Sequence, residues 1–307
     1  MLTCIEFINL HNIFSLGVCS NLGFLRGSSH QAPFRLSGRT ANNLLAKQSN
    51  IKLQWQFIEP DTQLPPWAQS QRINQILCKK ISQRVAGGKR FLVVGGDHSV
   101  AMGTWSGLIK GLSDLQSDKG AIGLLWIDAH MDAHNFSTSP SDNTHGMPIF
   151  ALLSDKDLSL NCLCPAAGQL NADKLVVLGV RSYEESERNF LESRGVTIGY
   201  MNKLRNGRFH CAFIAALQAL RKNCSTIGIS IDMDAIDPLQ APGVASPVAG
   251  GINLKELCAA LEQAKLLNEI IGLEICEYDP SRDIQYRTRS AVIELIKAFY
   301  GDLPLSG

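Results

Sequence analysis

The sequence predicts an α/β fold in which a parallel sheet is covered by helices on both faces. Short apolar runs alternate along the chain with longer segments whose apolar residues recur at helical spacing, the pattern of strand, crossover helix, strand units. The runs are apolar at nearly every position, as strands buried on both faces require. With 307 residues, 45% of them hydrophobic and only 19% charged, the chain can bury a sizeable core. No linker, repeat or low-complexity segment breaks the alternation, so residues 1–307 are expected to form a single domain.

In chain order, Thr3 to Leu10 and Lys52 to Ile58 read as strands, with a loop punctuated by Gly, Ser and Pro from about Leu22 to Arg39 between them. Trp67 to Val85 has helical spacing and stops at Gly87-Gly88. Phe91 to Val94 is a short buried strand, closed by Gly95-Gly96-Asp97-His98-Ser99 and followed by a helix from about Val100 to Leu112. Ile122 to Ile127, with Gly120 before it and Gly123 inside it, is the next strand. Lys174 to Val180, Ser225 to Ile231 and Glu269 to Ile275 repeat the design, each an apolar strand whose C-terminal end turns charged. Helical patterns lie at Glu185 to Ser193, His210 to Lys222, Leu254 to Leu266 and Arg289 to Phe299.

Composition narrows the function. A formal net charge of +1 gives no general attraction to nucleic acid, and no Lys/Arg cluster with interleaved aromatics occurs. Nine cysteines, several inside apolar runs and without paired spacing beyond Cys162 and Cys164, point to reduced thiols in a cytoplasmic protein. The apolar N-terminus lacks the basic start of a signal peptide, is interrupted by Glu6 and His11, and has Val18 before Cys19 where a lipoprotein-type cleavage site wants a small residue. No apolar run approaches the ~20 residues that span a bilayer.

The chemistry concentrates where strands end. Asp128, His130 and Asp132 follow the apolar run Ile122 to Ile127 at intervals of two, which in extended backbone points all three side chains to one side. Asp232 and Asp234 repeat that spacing after Ser225 to Ile231. His98, Glu184 with Glu187, and Glu277 each fall just past another strand end, and in open α/β sheets ligands bind outside those carboxyl ends. Carboxylates gathered at apolar strand mouths need a cation, and mixed His/Asp ligation suits a divalent transition metal. His98, Asp128, His130, Asp132, Asp232 and Asp234 offer four carboxylates and two imidazoles, more than one tetrahedral site needs and enough for two ions with bridging carboxylates. Such oxygen-rich ligation fits manganese or another first-row ion better than zinc on thiolate, and no cysteine is placed to join. Two metals bridging a water acidify it, so hydrolysis follows. A phosphate-cradling turn at Gly95-Gly96 is the weaker rival, because neither a Walker lysine pattern nor G-x-G-x-x-G occurs.

GGDHS at 95 to 99, DAHMD at 128 to 132, Ser141-x-Asn143-x-His145-Gly146 and SIDMDAIDP at 230 to 238 together resemble the ureohydrolases, arginases most closely. The resemblance runs from about Phe91 to Pro280. It implies a three-layer α/β/α fold with an eight-stranded, mostly parallel sheet, two Mn2+ ions per subunit, and hydrolysis of L-arginine to L-ornithine and urea by attack of a metal-bridging hydroxide on the guanidinium carbon. By position it makes the six residues above the metal ligands, with Asp128 also holding the bridging hydroxide by a hydrogen bond. His145 matches the proton-transfer histidine, and Glu277 the glutamate that receives the guanidinium. Ser141 and Asn143 correspond to residues that hold the substrate α-carboxylate, and Glu184 and Glu187 to acids around the α-amino group.

Departures from the family pattern sit on the substrate side. His134 stands where an asparagine usually reaches the α-carboxylate, Glu184 replaces an aspartate, Asp142 a glycine, Ser246 a threonine, and Tyr278-Asp279 a Val-Asn pair. The same chemistry on another substrate, as in agmatinases or formimidoylglutamases, is the first alternative, and a catalytically silent metal-binding relative the second. A homo-oligomer, trimeric or hexameric, and a small guanidino substrate are implied by the resemblance alone.

Overall fold

Continuously apolar segments of the chain become the central strands, and the amphipathic ones between them become helices that cover the sheet. The computed structural model describes residues 11–113 and 121–301. In order the elements are β1 (His11–Val18), α1 (Ala32–Ser37), α2 (Arg39–Ser49), β2 (Ile51–Ile58), α3 (Pro66–Ala86), β3 (Phe91–Val94), α4 (Ala101–Ser113), β4 (Ala121–Ile127), α5 (Pro148–Leu153) and α6 (Leu158–Leu163). There follow β5 (Leu175–Val180), α7 (Glu185–Glu192), β6 (Thr197–Tyr200), α8 (Met201–Leu204), α9 (Arg208–Asn223), β7 (Cys224–Asp232), α10 (Leu254–Ala264), β8 (Ile270–Cys276) and α11 (Arg287–Tyr300). The eight strands form one sheet in the order β2-β1-β3-β8-β7-β4-β5-β6, every pair parallel.

Alternation along each strand divides the interior into two layers. Leu92, Val94, Leu125, Ile127, Val176 and Leu178 pack against α2, α9, α10 and α11 on one face. Phe91, Val93, Leu124, Trp126, Leu175 and Val177 pack against α3, α4, α5 and α6 on the other. The result is the expected three-layer α/β/α arrangement, with the strands as its dry middle.

The topology and the register together place the site. After β3 the chain crosses to β4, and β8 and β7 later fill the space between them. That jump is a switch point, where an open sheet splays its loops apart. Pairing sets Val94 beside Ile275, Ile275 beside Ile231, and Ile231 beside Ile127, a level apolar row across four central strands. One residue further on, the row turns polar at Asp128 and Asp232.

The N-terminal reading needs correction. The strand expected at Thr3 to Leu10 falls outside the described residues, and the first strand described is β1 at His11–Val18. The segment from Leu22 to Arg39, read as loop, contains α1, which has Pro33 in its first turn and buries Ala32, Pro33 and Leu36. Helices α2, α5, α6 and α8 and the short strand β6 were likewise not anticipated; four of these five are four to six residues long, lengths at which tertiary contacts rather than periodicity decide. Among the described residues no helix is long and apolar enough to cross a membrane.

Candidate metal centre

Gly96 shows why the first ligand loop is glycine-rich. A Cβ built there would stand 1.5 Å from the Ser20 carbonyl oxygen, so the loop after β3 can pass the end of β1 only without a side chain. The Gly96 carbonyl accepts from the Glu277 amide at 2.8 Å, which ties β3 to β8. Gly95-Gly96 therefore serves close backbone approach, and His98 opens the turn that leads into α4.

Five loops converge above β3, β4, β5, β7 and β8. His98 Nδ1 lies 3.3 Å from Asp128 Oδ2, 3.1 Å from Asp132 Oδ2 and 3.1 Å from Asp232 Oδ2. His130 Nδ1 lies 3.6 Å from Asp128 Oδ1 and 3.1 Å from Asp234 Oδ2. Asp128 thus presents one oxygen to each histidine and is the member common to both clusters. All six expected ligands are brought together. Asp132 adopts a left-handed backbone, φ 47°, as does Glu277 at φ 65°; non-glycine residues held there mark sites whose surroundings dictate the conformation.

The ligands are anchored from behind. Asp128 accepts from the Trp126 indole at 2.9 Å and from the His130 amide at 2.7 Å, and Asp232 accepts from the Asp234 amide at 2.7 Å. His98 Nε2 lies 3.0 Å from Ser230 Oγ, and Ser230 donates its hydroxyl proton to Glu274 Oε2 at 2.7 Å. Ser230 has one proton, so its oxygen must accept from His98 Nε2–H. The neutral ring then turns a bare Nδ1 toward three carboxylate oxygens.

Those contacts test whether the residues fit a cation. A lone pair facing three acids is repulsive unless a positive charge lies between them. A protonated ring would not solve it, because its single Nδ1–H is aimed at Asp232 and leaves the buried Asp132 Oδ2 with no hydrogen bond. Burial raises the Asp132 carboxyl to about 7, helped by the charge of Asp128. Burial also raises Asp234 and Asp232, while at Asp128 it is outweighed by the hydrogen bonds of His130 and His98, which hold that carboxyl below its ordinary range. Divalent cations at the two clusters would neutralise this crowding, and the hard oxygen donors with imidazole suit first-row ions.

The pocket over the centre is lined by His130, Asp132, Asp232, Asp234 and Glu277 at its floor and by His134, Ser139, Ser141, Asn143, Glu184, Glu187 and Ser246 around its mouth, with His145 on one side. Glu277 is buried, and its Oε1 accepts from the His98 amide at 2.8 Å and faces His145 Nδ1 at 3.1 Å. Burial would lower the His145 imidazole, yet the Glu277 carboxylate against it raises it to about 9. Every site residue singled out in the sequence is at this pocket or directly beneath it.

Several contributors were missed. Glu274, fully buried in the middle of β8, also accepts from the Trp105 indole at 2.9 Å. Arg181 donates to the carbonyls of Gly179, Asp234, Ala235 and Val248, pinning the end of β5 to the loop after β7. The loop at Gly23 and Phe24 reaches His145: the Gly23 carbonyl accepts from its amide at 3.4 Å, and the Phe24 ring lies 4.9 Å from its ring. An acid inside the apolar run EIIGLEI was the available signal for Glu274, whereas Gly23 and Phe24 carried none.

Comparison with known proteins bears on this geometry. A family model described as the Arginase family matches residues 17–301. The chain belongs to the arginase family. Curated arginases of Bacillus caldovelox and Bacillus subtilis (strain 168) are 32% and 33% identical to it over 229 and 228 residues, 75% and 74% of this chain and 74% of each relative. A crystal structure of arginase from Bacillus subtilis superimposes with a TM-score of 0.82 at 28% identity, covering 96% of this chain and all of that one. A formimidoylglutamase structure from Bacillus subtilis matches with a TM-score of 0.73 at 22% identity, which speaks to the fold alone. The family match extends to residue 17, well before the motifs around the centre, and so includes β1 and the Gly23 loop.

Proposed function

We propose that this arginase-family chain is a hydrolase that splits the guanidine of L-arginine into urea and L-ornithine, using two divalent cations that we assign as manganese. The observation that carries the reading is the position of Glu277: a buried carboxylate beside two His/Asp clusters that share Asp128. Arginine's planar cation could hardly enter such a pocket without a carboxylate to receive its donors. His98, Asp128, Asp132 and Asp232 would hold one ion, and Asp128, His130 and Asp234 the other. Bound there, the pair supplies Lewis acidity that lowers the pKa of water, making a nucleophile available at neutral pH.

The chain's own residues do the rest. Glu277 orients the guanidinium over the floor of the pocket. His145, held by Glu277 and raised to about 9, carries a proton at neutral pH that it can give to the departing amine. His134, Ser141, Asn143, Glu184, Glu187 and Ser246 surround the far end of the substrate. A reducing, cytoplasmic location is inferred from the unpaired spacing of the cysteines in the sequence, and a homo-oligomer from the family alone.

Urea release from L-arginine, with manganese added against other divalent ions, tests this reading. Turnover greatest with manganese supports it, whereas a metal-loaded protein that releases no urea from arginine contradicts it.

A further inference from the structure

Only one nitrogen of the His145 ring is engaged by an acid. Nδ1 lies 3.1 Å from Glu277 Oε1, which leaves Nε2 as the nitrogen that can hand a proton to a ligand. A single contact fixes where Nδ1 sits but not the plane of the ring, which can still swing about the line between Nδ1 and Oε1. The local backbone adds little restraint: His145 belongs to a three-residue turn, Thr144–Gly146, that has no side-chain cap.

The remaining freedom is closed by a segment from the other end of the chain. The Phe24 ring lies 4.9 Å from the His145 ring, centroid to centroid, with the planes 33° apart, and the Gly23 carbonyl accepts from the His145 amide at 3.4 Å. The loop that carries both residues is fastened on two sides. Asp97, fully buried after β3, accepts from the Gly23 amide at 3.1 Å. A Cβ on Gly23 would collide with that carboxylate, so only glycine lets the loop come so close. The Asn21 side-chain amide donates to the Gly27 carbonyl at 2.8 Å and closes the loop on itself, and Asp279, after β8, accepts from the Ser28 amide at 3.1 Å. The two fastening carboxylates thus follow the same strands that deliver His98 and Glu277. Phe24 does not line the pocket, so it reaches a substrate only through His145.

We propose that Phe24 is a positioning residue for proton transfer: its ring, carried on a loop keyed to the ends of β3 and β8, holds the His145 imidazole in the plane that aims Nε2 at the departing amine. The proposal rests on the guanidine-hydrolase reading above and adds to it a residue that touches neither the substrate nor the metal clusters.

The test follows urea release from L-arginine by the manganese-loaded protein. Phe24→Ala should lower kcat about 10- to 100-fold, the scale of a misplaced general acid, with KM within about twofold of wild type and the metal content unchanged. Phe24→Tyr keeps the flat ring and should hold kcat within about twofold. Leu25→Ala, at the exposed tip of the same loop, should leave kcat at the wild-type value. In a His145→Asn background Phe24→Ala should change kcat by less than about twofold, because a residue that acts through the ring has nothing to position once the ring is gone. Phe24→Leu is read in the same way if Phe24→Ala does not fold. A kcat unchanged in the Phe24 variant, a loss as large in the His145→Asn background as in wild type, or an equal loss in Leu25→Ala would each overturn the proposal. If no guanidine is turned over, the functional reading has failed separately, and a crystal structure of Phe24→Ala decides the positioning: a His145 ring turned out of its contact with Glu277 upholds it, and an unmoved ring overturns it.

Discussion

Ser230 donates its hydroxyl proton to Glu274 across 2.7 Å, from β7 to β8, and that bond decides which nitrogen of His98 faces the acids. Because the hydroxyl proton is spent on Glu274, Ser230 can only accept from His98 Nε2–H, leaving Nδ1 bare for a cation.

Ser230→Ala should therefore weaken cation binding while leaving all six ligands in place. Loss of such a hydrogen bond behind a ligating histidine typically costs about 10- to 100-fold in metal affinity. Manganese titration of the metal-free protein measures it, and an affinity unchanged from wild type would show that the ring needs no such support.

Replacing Asp128 or Asp234 by Asn acts at the ions directly. Asp128 is common to both clusters and Asp234 belongs to one, so each variant should lose most urea release and at least one bound ion per chain. Elemental analysis beside the activity assay checks both halves, and full turnover in either variant would refute the ligand assignment.

Asp232 offers a test whose sign reverses with metal. Without cations its carboxylate adds to buried like charge, and burial with the charges of Asp234 and Asp128 drives it toward protonation. Asp232→Asn should raise the Tm of metal-free protein and lower it with manganese present, since a ligand at a hundredfold excess over its Kd contributes about 2.7 kcal/mol, a shift on the order of 5 °C. Thermal scans with chelator and with manganese give the comparison; a variant less stable in both would count against a cation-dependent site.

Asp279 ties the loop before α1 to the end of β8 and carries a pH signature. Burial alone would raise its carboxyl, but donors from Ser28 and Ser281 outweigh that and hold it below the ordinary range. The Arg282 guanidinium adds a contact at 3.2 Å. A depressed folded pKa means the stabilisation is fully present above the unfolded value near ~3.9 and disappears as pH falls through the folded one. Asp279→Asn should cost roughly 1.5–3 kcal/mol near neutrality, and the gap from wild type should close in acid. Urea unfolding at pH 7 and pH 3 reads it, and a gap as wide at pH 3 as at pH 7 would show that the charge contributes nothing.

The centre was legible in the sequence because its ligands directly follow buried apolar strands, although the backbone there does not stay extended: Asp132 is left-handed at φ 47° and Asp234 lies in a 3-10 turn. The central strands were legible for the same reason, being apolar at nearly every position. What was not legible depends on contacts distant in sequence. β1, HNIFSLGV, contains Ser15 and Gly17 and reads as a strand only beside β2 and β3. Nothing local marks Gly23 and Phe24 as neighbours of His145, which lies more than a hundred residues on. His134 was recognised as a residue at the mouth, but the commitment of both its nitrogens to Thr138 and the two glutamates appears only in three dimensions.

The most direct measurement is an anomalous difference map at the manganese absorption edge from crystals of manganese-loaded protein. Two peaks are predicted per chain, one among His98, Asp128, Asp132 and Asp232 and one among Asp128, His130 and Asp234, with Asp128 touching both. A single peak, or peaks elsewhere with these seven contacts unused, would contradict the account.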